Sequence, residues 1–327
     1  MEIKQLEIKN YKSIEHVVLK NVNPFSVFVG ANASGKSNVF EAIEFFSQVF
    51  KIGDALDTFR LFGKPEDVLN RKNHTLDEQN LTVRFVLNGD VSPYVSITNH
   101  ATNFYSYGHH FTINEENSDV SQIENFSRLF VGNSKIKRQN YIDDSKLNAD
   151  ASNLELVLKR ILKNETIKND FLEELCLLIP GFSNIEINSN DLTGEATLLI
   201  YEKGTNKPFT KNLLSDGTYN IIALLTAVYQ SEEPQFICIE EPENGLNPFV
   251  AKEFVRIFRD ACAEKGHFIW INTHSQSILS ELTNQELIIV DKINGATVCK
   301  QIQDVNTFGL KLDEALFTNM LGGGTPW

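Results

Sequence analysis

The chain has 327 residues, of which 42% are hydrophobic, and its formal net charge at pH 7 is −13. This length predicts roughly two domains, or one large domain with an insertion, and the apolar fraction is ample for a packed core. The acidic balance repels a polyanion at long range. Screening limits that repulsion to about 10 Å, so a nucleic-acid partner is disfavoured without being excluded.

Targeting and metal-binding patterns are not evident. No apolar run approaches the length of a membrane span, and residues 1–5 alternate in polarity instead of forming the apolar stretch of a signal peptide. The four cysteines are scattered without metal-ligand spacing, as reduced structural thiols are. We therefore expect a cytoplasmic protein that makes no contact with a membrane.

The first half of the chain predicts strands around one long helix. Alternating and apolar runs predict strands at residues 3–8, 17–19, 25–29 and 81–87, with a helix over residues 36–50. Residues 53–80 are polar and predicted to be irregular. Residues 88–148 are rich in Asn, Ser, Tyr and charged residues, which predicts an insertion of mixed strand and loop.

The second half predicts helices and strands that alternate strongly near the end. Helical spacing covers residues 154–162, 167–178, 217–229, 248–265 and 276–281. Strands are predicted within 185–201 and at 236–239, 267–271, 287–291 and 296–301. Such alternation implies a mainly parallel sheet covered by helices, an α/β fold.

Residues 30–37 read Gly-Ala-Asn-Ala-Ser-Gly-Lys-Ser and lie between a predicted buried strand and a predicted helix. This is the complete pattern of a phosphate-binding loop, in which glycines allow close approach and the helix N-terminus attracts anions. Lys36 would reach the β- and γ-phosphates of a nucleoside triphosphate, and the Ser37 hydroxyl would bind Mg²⁺. The expected nucleotide-binding residues of this loop are Asn32, Ala33, Ser34, Gly35, Lys36, Ser37 and Asn38.

A second motif, Phe-Ile-Cys-Ile-Glu-Glu-Pro-Glu, begins at residue 236. A buried strand would deliver its carboxylates to the sheet edge where ligands bind in α/β folds. Burial of Glu240 is costly unless a cation offsets the charge, and Mg²⁺ shared with Ser37 would do so. Glu241 would then polarise the attacking water. A solvated acidic turn is the alternative.

Two weaker motifs flank the acidic strand. Residues 214–218, Leu-Ser-Asp-Gly-Thr, begin a predicted helix and by themselves indicate only an ordinary helix cap. His274 follows the predicted strand at 267–271 and could contact the γ-phosphate, although a lone histidine is more often structural.

The order of these motifs resembles the ATP-binding-cassette (ABC) ATPase superfamily. It is more similar to the non-transporter branch: the SMC and RecF-like proteins and the ATPase halves of the overcoming-lysogenisation-defect nucleases. Residues 240–248, Glu-Glu-Pro-Glu-Asn-Gly-Leu-Asn-Pro, are similar to the last group, and residues 8–14 resemble the start of that branch. The resemblance implies an ABC-type P-loop ATPase with a mixed or parallel core sheet, an N-terminal antiparallel β subdomain and a helical lobe.

The resemblance also implies site roles and domain bounds. Ser215 and Gly217 would contact a nucleotide on the other subunit, Glu241 and His274 would be catalytic, and Lys12 would approach the phosphates. Residues 243–247 would cross the dimer interface. The ATPase core would comprise residues 1–87 and 206–327, with an insertion and helical lobe at 88–205. Asp216 and Thr218 depart from the transporter signature, and no glutamine-loop residue is identifiable before residue 88.

The function implied is an ATPase that forms a homodimer or higher homo-oligomer and regulates a separate effector, a toprim-like nuclease or a toxin, in prokaryotic antiviral defence. A RecF-like or SMC-like ATPase that binds DNA is the alternative, although no long coiled-coil heptad run is present. A transporter cassette fits the polar insertion less well.

A basic stretch with interleaved aromatic residues is a further candidate for contact with DNA or a partner, or a solvated surface. Its residues are Phe126, Arg128, Phe130, Lys135, Lys137, Arg138, Tyr141 and Lys146. The Gly-rich tail at 322–327 is a candidate docking peptide or a frayed terminus.

Overall fold

The structure is a computed structural model of the chain. It describes residues 2–53, 55–70, 72, 80–87, 93–100, 106–111, 121–131, 144–189, 196–306, 309–318 and 320–321. The basic residues Lys135, Lys137 and Arg138, Tyr141, and the tail at 322–327 lie outside these ranges.

The described strands are β1 (Ile3–Tyr11), β2 (Ile14–Val22), β3 (Phe25–Val29), β4 (Asn80–Leu87), β5 (Tyr94–His100), β6 (Ser106–Phe111), β7 (Phe126–Leu129), β8 (Phe182–Ser189), β9 (Ala196–Glu202), β10 (Phe209–Thr210), β11 (Phe236–Glu240), β12 (Phe268–Thr273), β13 (Leu287–Ile293) and β14 (Ala296–Gln301). The described helices are α1 (Lys36–Ile52), α2 (Ala55–Phe62), α3 (Pro65–Val68), α4 (Ser121–Glu124), α5 (Leu154–Ile161), α6 (Glu165–Leu178), α7 (Asp216–Tyr229), α8 (Pro248–Lys265), α9 (Gln276–Leu279) and α10 (Leu312–Phe317).

Three sheets organise the described chain. The central one has the order β14-β13-β3-β12-β11-β7, and its strands pair in parallel except for the antiparallel β13–β14 hairpin. A second, antiparallel sheet has the order β2-β1-β4-β5-β6, and a third has the order β10-β9-β8. This is the predicted α/β class with a mixed core sheet and an N-terminal antiparallel sheet.

The central sheet is buried on both faces because alternate side chains of its strands enter two different apolar clusters. Phe25, Val27, Ile237 and Ile239 pack with helices α5 to α8 on one face. Phe28, Cys238 and Trp270 pack with α1 and the N-terminal sheet on the other. Parallel strands buried in this way bring their carboxyl ends to one common edge.

The segment at 53–80, predicted to be irregular, contains α2 and α3, so that prediction was wrong. The reason is local packing. Phe59 and Phe62 of α2 each place their rings 5.2 Å from the ring of Phe45 on α1. A helix of only eight residues is too short to be stable by itself, so it is stabilised mainly by this tertiary contact, which a propensity argument does not see.

Strands from the predicted insertion form part of the central sheet and of the N-terminal antiparallel sheet. β5 pairs with β4, and β7 pairs in parallel with β11 at the edge of the central sheet. The division of the chain at residues 88 and 206 stays a prediction. None of the helices in the described ranges is both long and apolar enough to cross a membrane.

A buried histidine makes stability depend on pH. His267 is fully buried; its Nδ1 accepts from the Gln235 amide at 3.3 Å, and its Nε2 lies 3.2 Å from the Val228 carbonyl oxygen. Burial lowers the pKa of His267 to about 4. Between pH 6.5 and 4 this histidine is therefore protonated in the unfolded chain but not in the folded chain, so the free energy of unfolding falls as the pH falls.

We expect this effect to lower the free energy of unfolding by on the order of 3 kcal/mol across that window. Urea unfolding at pH 7, 6, 5 and 4 gives the free energy of unfolding of the wild-type and His267→Gln proteins. The change with pH in the difference between these two free energies measures the effect. His16→Gln, at an exposed histidine, is the control. Parallel pH profiles for wild type and His267→Gln would contradict the assignment.

Candidate functional site

A cavity of about 630 Å³ opens at the carboxyl edge of the central sheet. Its lining residues are Ser13, Asn32, Ala33, Gly35, Lys36, Ser37, Asn38, Glu241, Asn272, His274 and Lys292. The loop after β3, the loop after β11 and the end of β12 therefore meet in one place. Most of the residues that the sequence predicts to bind nucleotide or to act in catalysis line this cavity.

The loop between β3 and α1 requires its glycines because other backbone and side-chain atoms approach it closely. Gly35 has φ of +107°, and a Cβ at this position would lie 1.9 Å from Thr297 Oγ1. A Cβ on Gly30 would lie 1.9 Å from the Val290 carbonyl oxygen. The loop thus leads directly into the N-terminus of α1, where unpaired backbone NH groups and the helix dipole favour an anion.

Lys36 and Ser34 of this loop differ in their access to the cavity. The Lys36 ammonium donates to the carbonyl oxygens of Gly30 at 2.7 Å and Ala31 at 3.1 Å. Burial lowers its pKa, and the charges of Glu241, Glu240 and Glu243 oppose that shift. The Ser34 hydroxyl is buried without a hydrogen-bond partner among the described residues. Ser34 does not line the cavity, so its predicted contact with a nucleotide stays a prediction.

Glu240 and Ser37 converge as a metal site requires. Ser37 Oγ donates to Glu240 Oε2 at 2.6 Å, and the Asn272 amide donates to the same oxygen at 3.3 Å. Glu240 is 5% exposed at the end of β11. A hydroxyl and a carboxylate beside a phosphate loop are hard oxygen donors, and they fit Mg²⁺ that also binds nucleotide oxygens and water.

Glu241 lies in the cavity in a constrained conformation. Its φ of +49° is in the left-handed region, which is uncommon for a residue with a side chain. Its amide donates to the Asn272 carbonyl oxygen at 3.0 Å, and its Oε2 accepts from Asn244 Nδ2 at 3.0 Å. The chain reverses at this residue, so adjacent carboxylates are directed to different places: Glu240 toward Ser37 and Glu241 into the cavity.

His274 follows β12 and is held by Glu243. Glu243 Oε1 accepts from Thr273 Oγ1 at 2.6 Å and from the His274 amide at 3.0 Å. Burial lowers the pKa of His274, and the nearby Lys36 charge lowers it further. The imidazole is therefore mainly neutral at pH 7, and it can still donate a hydrogen bond from one ring nitrogen to a ligand oxygen.

Ser215 and Gly217 do not line the cavity. Ser215 caps α7 by accepting the Thr218 amide at 3.1 Å. A Cβ on Gly217 would lie 2.4 Å from the Gly245 carbonyl oxygen. The Asn220 amide group also donates to the Asn244 carbonyl oxygen at 2.7 Å. The start of α7 and the loop at 241–247 are therefore packed together at the surface, and the role of Ser215 and Gly217 stays a prediction.

Lys12 is likewise outside this cavity. Its ammonium pairs with the buried Glu41 carboxylate of α1. Lys12 instead lines a neighbouring cavity of about 370 Å³ that also contains Asp67, Asn70 and Lys72 and shares Ser13 with the first. The predicted contact between Lys12 and phosphate stays a prediction.

Sequence reasoning missed three residues that line the cavity, and it wrongly placed Arg128, which lies outside the cavity, on the surface. Ser13, Asn272 and Lys292 line the cavity, and only the position of Asn272 at a strand end gave a signal. Arg128 was interpreted as part of a surface patch, but its side chain is 4% exposed and pairs with Glu240 and Glu44. A signal was available: the residues on either side, Phe126 and 129–131, are apolar, a pattern that is consistent with a short buried strand.

Solved structures show the same fold. The SMC head bound to the C-terminal winged-helix domain of ScpA aligns with 96% of this chain and 99% of its own, with a TM-score of 0.61 and 17% identity. The SMC head from Thermotoga maritima aligns with 92% and 99%, with a TM-score of 0.53 and 18% identity. A Smc head from Pyrococcus furiosus with an extended coiled coil, bound to the C-terminal domain of ScpA, gives a TM-score of 0.57 at 14% identity, covering 98% and 99%.

A shorter match links the chain to curated relatives. The DNA replication and repair proteins RecF of Streptococcus pyogenes serotypes M5 (strain Manfredo) and M1 are 45% identical over 47 residues. The match covers 14% of this chain and 13% of each relative. Together, the fold and the phosphate loop define a P-loop nucleotide-binding domain with the fold of the SMC heads.

Residues 25–85 and 71–280 match the family described as "AAA domain, putative AbiEii toxin, Type IV TA system". The chain belongs to this family.

Proposed function

We propose that the chain binds ATP with Mg²⁺ and hydrolyses it to ADP and phosphate. The observation that carries this proposal is the 2.6 Å contact between Ser37 of the phosphate loop and Glu240 of the acidic strand, beside a cavity that also holds Lys36, Glu241 and His274. These are the groups that phosphoryl transfer to water requires in one place.

Each group would perform a distinct task. Lys36 and the α1 N-terminus would bind the β- and γ-phosphates, while Ser37 and Glu240 would hold Mg²⁺, which would neutralise charge on the phosphate oxygens. Glu241 would accept a proton from, and orient, the attacking water. His274 would donate a hydrogen bond to an oxygen of the γ-phosphate.

The nucleoside would extend toward the second cavity. Asn38 follows the phosphate-loop Ser37 in α1, and its Nδ2 donates to Ser13 Oγ at 2.6 Å. Ser13 lines both cavities, so a continuous surface leads away from the phosphate end. Asp67 and Asn70 in the second cavity supply polar groups of the kind that recognise a base or ribose.

The site as seen in one chain supports a shared active site. Ser215 and Gly217 lie outside their own cavity but beside the loop at 241–247, which would cross an interface between two copies. A second copy would bring its Ser215 and Gly217 to the γ-phosphate. ATP would then hold two copies together, and hydrolysis would release them.

We place this ATP-driven pairing upstream of a separate effector, a toprim-like nuclease or a toxin, in prokaryotic antiviral defence. The toxin–antitoxin wording of the family description supports this context. The RecF match favours the alternative, a DNA maintenance ATPase. Co-purification of the native complex separates them: an associated toxin or nuclease favours defence, whereas bound DNA with replication proteins favours maintenance.

The core proposal is tested by phosphate release from ATP. We expect purified protein to hydrolyse ATP with Mg²⁺, to stop when EDTA removes the metal, and to recover when Mg²⁺ is restored, because Ser37 and Glu240 need the cation to face a triphosphate. Phosphate release that continues unchanged in EDTA, or ATP that neither binds nor turns over, would contradict the proposal.

A further inference from the structure

Arg128 reaches Glu240 from the edge of the central sheet. It lies on β7 opposite Cys238 of β11, and its side chain enters the face of the sheet that α1 covers. Its Nε donates to Glu240 Oε1 at 2.7 Å, and its Nη2 contacts the same oxygen. Its Nη1 donates to Glu44 Oε2 on α1 at 2.9 Å.

This arrangement divides the two oxygens of Glu240. Oε1 receives Arg128, whereas Oε2 receives the Ser37 hydroxyl and the Asn272 amide. The side chains of Arg128 and Glu240 are 4% and 5% exposed, so neither charge is solvated enough to be stable without a partner. Rotation of the Glu240 carboxylate would break contacts on both sides, and its orientation is therefore fixed before any ligand arrives.

Glu44 fixes Arg128 in turn. Glu44 and Ser37 lie on the same helix, and the guanidinium spans from that helix to the acidic strand. A planar guanidinium can donate to two carboxylates in fixed directions, which an ammonium cannot. The chain Glu44–Arg128–Glu240–Ser37 thus closes a loop between α1, β7 and β11.

We propose that Arg128 is a positioning residue that orients Glu240 so that Oε2 faces the Mg²⁺ held with Ser37. This inference rests on the proposed function, because it assigns Arg128 a task only if Glu240 is a metal ligand. Groups that orient a metal ligand commonly change metal affinity or activity by about 10- to 100-fold when removed.

The test compares the Mg²⁺ dependence of ATP hydrolysis in wild type, Arg128→Met and Arg128→Lys. We expect Arg128→Met to raise the half-saturating Mg²⁺ concentration by about 10- to 100-fold, with unchanged binding of ATP in EDTA. Arg128→Lys should recover part of the loss because it restores one charge. Arg256→Met is the matched control, since Arg256 has three carboxylate partners but is 44% exposed.

A second variant keeps the test decisive if Arg128→Met does not fold. Glu44→Gln leaves the Arg128–Glu240 pair but weakens its anchor, and we expect a smaller shift of the same sign. If wild type hydrolyses ATP only with Mg²⁺ while whichever of Arg128→Met and Glu44→Gln folds keeps the wild-type half-saturating Mg²⁺ concentration, the positioning role is overturned and the proposed function stands. A wild type that binds no Mg²⁺-ATP overturns both.

Discussion

Glu241→Gln is expected to lower the rate of ATP hydrolysis by about 10² to 10⁴-fold, the usual worth of a positioned general base. Glutamine preserves the size of the side chain and can still accept the 3.0 Å hydrogen bond from Asn244. Lys36, Ser37 and Glu240 are untouched, so ATP binding should persist. The protein should therefore accumulate as an ATP-bound dimer, measured by light scattering with and without nucleotide.

Glu233→Gln is the matched control. Glu233 is exposed just before β11, at the opposite end of the strand that delivers Glu240 and Glu241. It should keep wild-type turnover and remain unpaired after hydrolysis. Full turnover by the Glu241→Gln protein would contradict the assignment of Glu241 as the general base. Loss of turnover without a trapped dimer would support Glu241 as the general base, but it would argue against ATP as the link between two copies.

Mixing two inactive variants is expected to restore hydrolysis. Lys36→Ala disables the phosphate loop, and Ser215→Asp places a negative charge where the partner's γ-phosphate would lie. Aspartate caps a helix about as well as serine, so α7 should remain folded. In a two-fold dimer each mixed pair keeps one complete site, so an equal mixture should regain about a quarter of wild-type activity.

Asn164→Asp is the control for the added charge. Asn164 also caps a helix, α6, by accepting hydrogen bonds from the Thr166 and Ile167 amides. Aspartate at this position preserves the cap. It should hydrolyse ATP as wild type does. A Ser215→Asp protein with normal turnover, or a mixture no more active than its two components, would show that Ser215 does not act on a partner's nucleotide.

Local sequence was informative where a function depends on neighbouring residues. The phosphate loop between β3 and α1 needs consecutive backbone groups, so residues 30–37 predicted both its position and its ligand class. Strongly apolar strands such as β11 and the capped helix α8 were also predicted closely, because burial and capping leave periodic signals.

Contacts between distant segments were harder to predict. Lys12 was expected near phosphate through resemblance alone, but it pairs with Glu41, 29 residues away. Arg128 was assigned to a surface because basic residues follow it, yet β7 places it beside β11, 112 residues later. Neither partner is marked by local spacing, because an ion pair between distant segments depends on how strands and helices pack.

The sequence by itself determined the α/β class, the phosphate loop and the acidic strand end. The class follows from the alternation of helices and strands along the chain, and the loop and the strand end each follow from the residue order within one short segment. Tertiary structure alone decided that Ser37, Glu240 and Asn272 meet at one oxygen, and that Arg128 holds the other. The physical reason is the sheet order β3-β12-β11-β7. It brings four separate segments to one edge, where the cost of burying charge is offset only by pairing.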